Sequence, residues 1–589
     1  LGCGLAFGAA AIMARRTSAI ACTQIYMGSK LTADGNTYYG RSEDFGPRYV
    51  KHFGIEPAHK DGNKYTSVES GFEYKSKGAT YRYTFVRDNP SQWEDRYDAY
   101  SEAGINEKGV SCSATLSTSY NEKAEEADPV TEETGIGEYN YASVILGESA
   151  TAREGVELIG SLIDEQGVCS NDQIIIADST ETWLFAALSG HQWIAMRLAD
   201  DIASLNPNIG NLTYSVDLDD TENCLHSEGI ESMPKEKGFA EYTDGKFDVA
   251  KTYGEEIGEA GMHQWSRYIQ GRDYFMAPLA EGTDYEIVKD KDKDKNDVTL
   301  GAMVHEMQPL FFQPSKSDWN TFELIRAFGN RGEKVPGLNA NTDGVSSIGS
   351  DRNAEANLFQ IRKGYDPEVA TIQWEMLSNA EFSVAIPLYS ALLTEVSPYF
   401  SDQTVDYGHC SETDIVNNEE PENSINYVLM DINSLCFANR AQFATSVRTY
   451  LDALQNELIE QNKEVDTAML AETTTEGRTA LANKAGKAAT KNTYVKCKAM
   501  LEEMRDCLKG GDFSEEFVPS DYDTENDCLV ESITYADEAL SDEDVAEPEV
   551  EKAEATEEKS EGNNMAAMAV GAVVIIGVCA YVIYRRKKA

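Results

Sequence analysis

An α+β chain is predicted by two patterns that occupy different stretches of the sequence. Segment 81–86 alternates with the period of a half-buried strand, and the short apolar segments 173–177 and 183–187 are compatible with strands too. From 438 to 508 the apolar residues recur instead with helical spacing among many Ala, Glu and Lys, which predicts helices packed on the main domain. With 589 residues, the chain is long enough for a large core carrying lobes or insertions.

Taken from the N-terminus, residues 1–21 combine an apolar run (5–14), Arg15-Arg16 and the small-residue site Ala19-Ile20-Ala21. They read as a signal peptide or propeptide whose removal makes Cys22 the first residue. An N-terminal cysteine carries a nucleophilic thiol and a basic amine on one residue, so it needs no separate histidine. The amine titrates near 7.7 to 8.0 in model peptides, roughly where a general base is most useful. The following stretch to Gly28 alternates like a strand, Asp34-Gly35-Asn36-Thr37 reads as a turn, and Tyr38-Tyr39-Gly40-Arg41 returns. Such a hairpin brings Arg41 and Asp44 beside Cys22, with Glu43 as an adjacent alternative acid.

The main domain is expected over 22–437 and a helical extension over 438–520. The alternating charges of 289–295 read as a solvated loop, because their lysines offset the carboxylates and no calcium-loop glycine is present. Residues 521–562 hold seventeen Asp or Glu against two Lys, which predicts a disordered acidic stalk. A charge-free run within 563–584 is long enough to cross a bilayer, and the basic tail 585–589 places the large domain outside the cell by the positive-inside rule. A single-pass membrane protein is therefore expected. The formal net charge of −50 disfavours nucleic acid as a partner. Eight cysteines (112, 169, 224, 410, 436, 497, 507 and 528) permit disulfides outside the cell, without a readable connectivity. The seven histidines show no metal-ligand spacing, so neither a metal nor another cofactor is expected.

The segment ACTQIYMGSKLTADGNTYYGRSEDFG resembles the opening of the dipeptidase A-like cysteine peptidases, relatives of the secernins among the N-terminal-nucleophile hydrolases. EAGINEKGVSCSAT, ILGESATAREGVELIGSLIDEQG, DQIIIADSTETWLFAALSGHQWIAMRL, LNPNIGN, DRNAEANLFQIR and FSVAIPLYS continue the likeness in order, over roughly 22–508. The resemblance implies a four-layer αββα sandwich and hydrolysis of dipeptides or short peptides through a Cys22 thioester. It implies oxyanion donors at Asn106 and Asn208, with Asn206 competing for the second place. Conjugated bile acid and penicillin V hydrolases share the Arg-x-x-Asp spacing; by that likeness Asp44 holds the Cys22 amine, Arg41 favours the thiolate, and Arg267 supplies a further arginine, with Arg272 close by. The alternatives are an N-acyl amide hydrolase and a binding protein on the same scaffold; a homo-oligomer is compatible with either. If the anchor reading holds, protease added to intact cells sheds the large domain; protection until lysis contradicts it.

Overall fold

The alternation after Cys22 becomes two antiparallel strands, β1 (Thr23–Met27) and β2 (Thr37–Asp44), with Gln24 opposite Arg41 and Thr23 opposite Ser42. Between them, Gly35 turns the chain at φ 71°, a conformation that glycine takes without penalty. The Asp34 carboxylate fastens the turn by accepting from the Asn36 backbone N–H and the Tyr38 hydroxyl.

This computed structural model describes residues 22–546 except 68–69, 89–100, 258–260, 281–282, 292–294, 401–411, 418–422 and 512–515. The expected leader (1–21), the apolar run (563–584), the basic tail and stalk residues 547–562 lie outside the described residues. No helix among the described residues is long and apolar enough to cross a membrane.

Two large antiparallel sheets form the body. The seven-stranded sheet runs in the order Phe311–Phe312, Ala203–Asn206, β1, β2, Asn353–Ile361, Thr371–Leu377 and Ile386–Leu388. The eight-stranded sheet runs Cys224–His226, Trp193–Arg197, Thr182–Ala187, Asp172–Ala177, β3 (Ser111–Ser117), Ser101–Ile105, Tyr83–Asp88 and Lys51–Glu56. Strand period assigns the faces of this second sheet. Ile175 and Ala177 share a core with Ile25, Tyr39 and Phe359 of the first sheet, whereas Ile174 and Ile176 pack with helical residues on the opposite face. That second core belongs to α1 (Glu138–Glu148) and α2 (Ala152–Gln166), which contribute Tyr141, Ile145, Val156 and Ile163. The helix-like run 145–167 is thus broken between two helices; Thr151 caps α2 by accepting from the Glu154 N–H, and Gly167 ends it.

Against the seven-stranded sheet lie α3 (Met262–Tyr274) and three later helices, α4 (Ile425–Ala438), α5 (Arg440–Ala471) and α6 (Thr475–Gly510). The helical extension therefore starts near 425 rather than 438. Arg48, shortly after β2, donates to Asp431 of α4 at 2.7 Å, and Arg505 of α6 donates to the same carboxylate at 2.9 Å. The loop expectation for 289–295 is corrected at its start: Lys289, Asp290 and Lys291 end the strand Tyr285–Lys291, paired with Thr299, Val298 and Asp297 of Asp297–Val304, while 292–294 lie outside the described residues. Cys112, Cys224, Cys436, Cys497, Cys507 and Cys528 are free thiols.

The stalk expectation is corrected for residues 521–546, which are folded. A small hairpin pairs Tyr522–Asp523 with Cys528–Leu529, and α7 (Tyr535–Leu540) follows. Leu529, Ile533, Tyr535, Ala536 and Ala539 enter the main core beside α5 and α6. Lysines of α6 meet the acids, with Lys496–Asp521 at 2.7 Å and Lys491–Glu538 at 3.0 Å. Charge density alone misjudged this stretch because its few apolar residues are spaced to face one surface. The Tyr535 hydroxyl also donates to Asn462 at 2.9 Å. Tyr535→Ala should consequently cost about 3–5 kcal/mol in urea unfolding. A change below about 0.5 kcal/mol, the usual size for an exposed position, would restore the stalk reading here.

Candidate active site

Register places the nucleophile candidate. Because Gln24 pairs with Arg41, the residue before β1 meets the end of β2, and Cys22 lies buried there beneath Arg41. Arg41 Nη1 is 3.2 Å from Cys22 Sγ and donates to the Thr115 carbonyl at 2.7 Å. Its Nη2 bonds Glu102 at 2.9 Å and lies 3.7 Å from Glu355. Burial pushes the Cys22 thiol up to about 12, with Arg41 and the Asp44 backbone N–H pulling the other way. Among the described residues no histidine contacts this thiol.

A second buried cation stands beside the first. Lys51 Nζ pairs with Asp88 at 2.7 Å and closely with Glu43 and Glu102, so Glu43 serves the lysine. By donor type these three carboxylates would suit a metal ion, but the ammonium already occupies their centre. Burial would discharge Lys51; Asp88, Glu102 and Glu43 hold it protonated well above its ordinary range. Glu355 and Glu375 complete the cluster, and Asn357 donates to Glu355. Burial pushes Glu102, Glu355 and Glu375 each up to about 8.

Arg267, on α3, reaches Cys22 from the other side. Its Nη1 donates to the Cys22 carbonyl at 2.6 Å, and its Nη2 donates to the Pro207 carbonyl at 3.0 Å. Both nitrogens also approach Asn208 Oδ1, at 3.5 and 3.4 Å. Asn208 holds φ 66°, a left-handed conformation that Asn tolerates better than most residues, and its Nδ2 donates to the Ser117 carbonyl at 2.9 Å. Asp44 accepts from Asn353; burial pushes its carboxyl up to about 8, against the charge of Arg267.

The structure thus gathers Cys22, Arg41, Asp44, Asn208 and Arg267. Asn106 is corrected: it donates to the Leu146 and Ser149 carbonyls and accepts from the Lys108 and Val110 N–H groups. With both amide hydrogens engaged it closes the 104–109 turn and has no donor left for an oxyanion. The competitors have other partners. Asn206 accepts from the Ile209 N–H and donates to Gln173, while Arg272 serves Tyr268 and the Ala277 and Pro278 carbonyls. Sequence reasoning missed Lys51, Glu102, Thr115, Glu355 and Glu375. The available signal was a charged residue at an inward phase of an otherwise apolar strand, as in Ser-Glu-Ala-Gly-Ile at 101–105.

The chain is also similar in sequence to known proteins. A family model described as "Peptidase family C69" matches residues 21–413. "Probable dipeptidase B" of Streptococcus pyogenes serotype M18 (strain MGAS8232) is 30% identical over 451 residues, covering 75% of this chain and 84% of that protein. "Probable dipeptidase" of Salmonella dublin is 34% identical over 240 residues, 40% of this chain and 54% of that one. "Probable dipeptidase A" of Streptococcus pyogenes serotype M1 is 25% identical over 418 residues, 66% and 79% respectively.

The raised carboxyls make stability depend on pH in a definite direction. Asp44, Glu102, Glu355 and Glu375 keep protons up to about 8 when folded but release them near 3.8 to 4.5 when unfolded. Between those limits the folded state binds more protons, so its stabilisation is complete below the unfolded values and is lost as pH rises through about 8. The thermal midpoint of the Cys22→Ala protein should fall steadily from pH 5 to pH 8. A midpoint that rises across this range contradicts the protonated cluster.

Proposed function

The chain belongs to peptidase family C69, and from that premise we propose that it is a cysteine dipeptidase acting through Cys22 as an N-terminal nucleophile. The observation that carries this reading is the double grip on Cys22, Arg41 at its sulfur and Arg267 at its carbonyl. A thiol that was only structural would not require two buried guanidiniums around one residue. The names of the similar proteins supply the substrate class, dipeptides and other short peptides. The packing of helices against both sheets supports the four-layer sandwich.

Removal of residues 1–21 frees the Cys22 amine. That amine takes the thiol proton, and the thiolate attacks the scissile carbonyl carbon. The carbon–nitrogen bond then breaks as the ammonium returns the proton to the leaving amine. Water adds to the thioester, gives its proton to the amine, and the thiol re-forms as the acid departs. Arg41 offsets the burial that otherwise holds the thiol neutral. Asp44 meets the new ammonium and ionises beside it. Arg267 fixes the Asn208 amide, which serves as an oxyanion donor. Anchoring by 563–584, with this domain outside the cell, belongs to the same proposal and rests on the sequence alone.

Purified enzyme should release free amino acids from dipeptides and leave N-acyl amides largely uncut; the reverse preference would sink the dipeptidase reading. The active species should begin at Cys22 by N-terminal sequencing, and activity in a chain retaining Ala21 would refute the amine's role. Asn208→Gly, which keeps the backbone conformation, should lower kcat about 10²- to 10³-fold. Arg41→Lys should lower kcat/KM by at least about tenfold, since a lysine cannot reach sulfur, carbonyl and carboxylate together. Near-normal turnover in both variants would overturn the assigned roles.

A further inference from the structure

A dipeptide carries its ammonium on the carbon next to the one attacked, with the nitrogen about 2.5 Å from the scissile carbonyl carbon. Whatever receives that charge must stand close to the nucleophile and within reach of substrate. Most acids of the site fail the second condition. Glu43, Asp88, Glu102, Glu355 and Glu375 are buried in the cluster around Lys51 and Arg41, and Asp44 is buried against Asn353.

Glu138 differs. It opens α1 and is only half-buried, and its Oε2 accepts from the Thr115 hydroxyl at 3.0 Å and from the Ser117 hydroxyl at 3.5 Å. Among the described residues its carboxylate forms no ion pair. Two independent sets of contacts join it to the nucleophile. The first runs through Thr115, whose carbonyl takes Arg41 Nη1, itself 3.2 Å from the sulfur. The second runs through Ser117, whose carbonyl takes Asn208 Nδ2; Asn208 in turn meets Arg267, which holds the Cys22 carbonyl. The end of β3 therefore carries Glu138 on its hydroxyls and both arms of the Cys22 grip on its carbonyls.

Resting on the dipeptidase reading, we infer that Glu138 receives the free α-ammonium of the substrate and sets the preference for unblocked dipeptides. Its environment suits a group that waits for a cation. Burial and the facing acids Asp172 and Glu43 push its carboxyl up to about 7, while the Thr115 bond and Arg41 act the other way. An arriving ammonium favours the ionised form and pairs with it away from bulk water.

The test compares Ala-Ala with propionyl-alanine, which has the same shape without the ammonium. Relative to wild type, E138Q should lower the ratio of kcat/KM values (Ala-Ala over propionyl-alanine) by about 10- to 100-fold. E138D, which keeps the charge on a shorter arm, should recover part of that ratio and provides the measurement if E138Q does not fold. A wild-type ratio retained by E138Q, or by both E138D and a Glu138→Ala variant, overturns the inference alone. Wild-type enzyme that shows no preference for Ala-Ala overturns the dipeptidase reading and the inference with it.

Discussion

Two buried cations join the sheets where the thiol lies. Arg41 belongs to one sheet and bonds Thr115 and Glu102 of the other; Lys51 belongs to the second sheet and bonds Glu43 of the first. Acids in an apolar gap are unstable unless paired or protonated, and cations in the same gap are no better off alone. Interleaving them across the gap meets both demands and fixes the sheets in one register. The thiol receives its guanidinium as part of that arrangement, so the charge beside Cys22 also ties the two sheets together.

The same arrangement leaves the Cys22 thiol above its ordinary titration range. A guanidinium 3.2 Å away favours thiolate, yet burial and the neighbouring Glu43 outweigh it. Arg41 is divided among sulfur, carbonyl and carboxylates, and no partner has its whole charge. Burial likewise pushes the Asp44 carboxyl up, against the charge of Arg267 and the bond from Asn353.

How much of this was legible depended on whether the contacts are local. Cys22, Arg41 and Asp44 share one hairpin, so spacing and turn residues sufficed. Arg267 and Asn208 are far from it in sequence and were reached by resemblance alone; the fold brings the two into contact beside Cys22. Asn106 shows the opposite failure: the motif surrounding it was recognised, but a turn asparagine that donates to the Leu146 and Ser149 carbonyls looks the same in sequence as one that points at substrate. Lys51 and the glutamates were missed because their partners come from other strands: a charged residue at an inward phase signals burial but not what it pairs with. In 521–546 the acid count hid a short apolar pattern carried by Leu529, Ile533 and Tyr535.

The pairing of Arg48 with Asp431 spans 383 positions, and Arg505 closes on the same carboxylate from later still. During translation, the strand that leads away from Asp44 is finished long before the helices that hold it exist. Asn426, which donates to the Lys51 carbonyl, also arrives late. A nascent chain therefore passes through a long interval in which the charged seam has only part of its support and the sheet beneath α4 to α6 is bare. Contacts this distant in sequence slow folding and prolong exposure of apolar surface. The early strands therefore stay open to pairing with other chains until the last helices leave the ribosome.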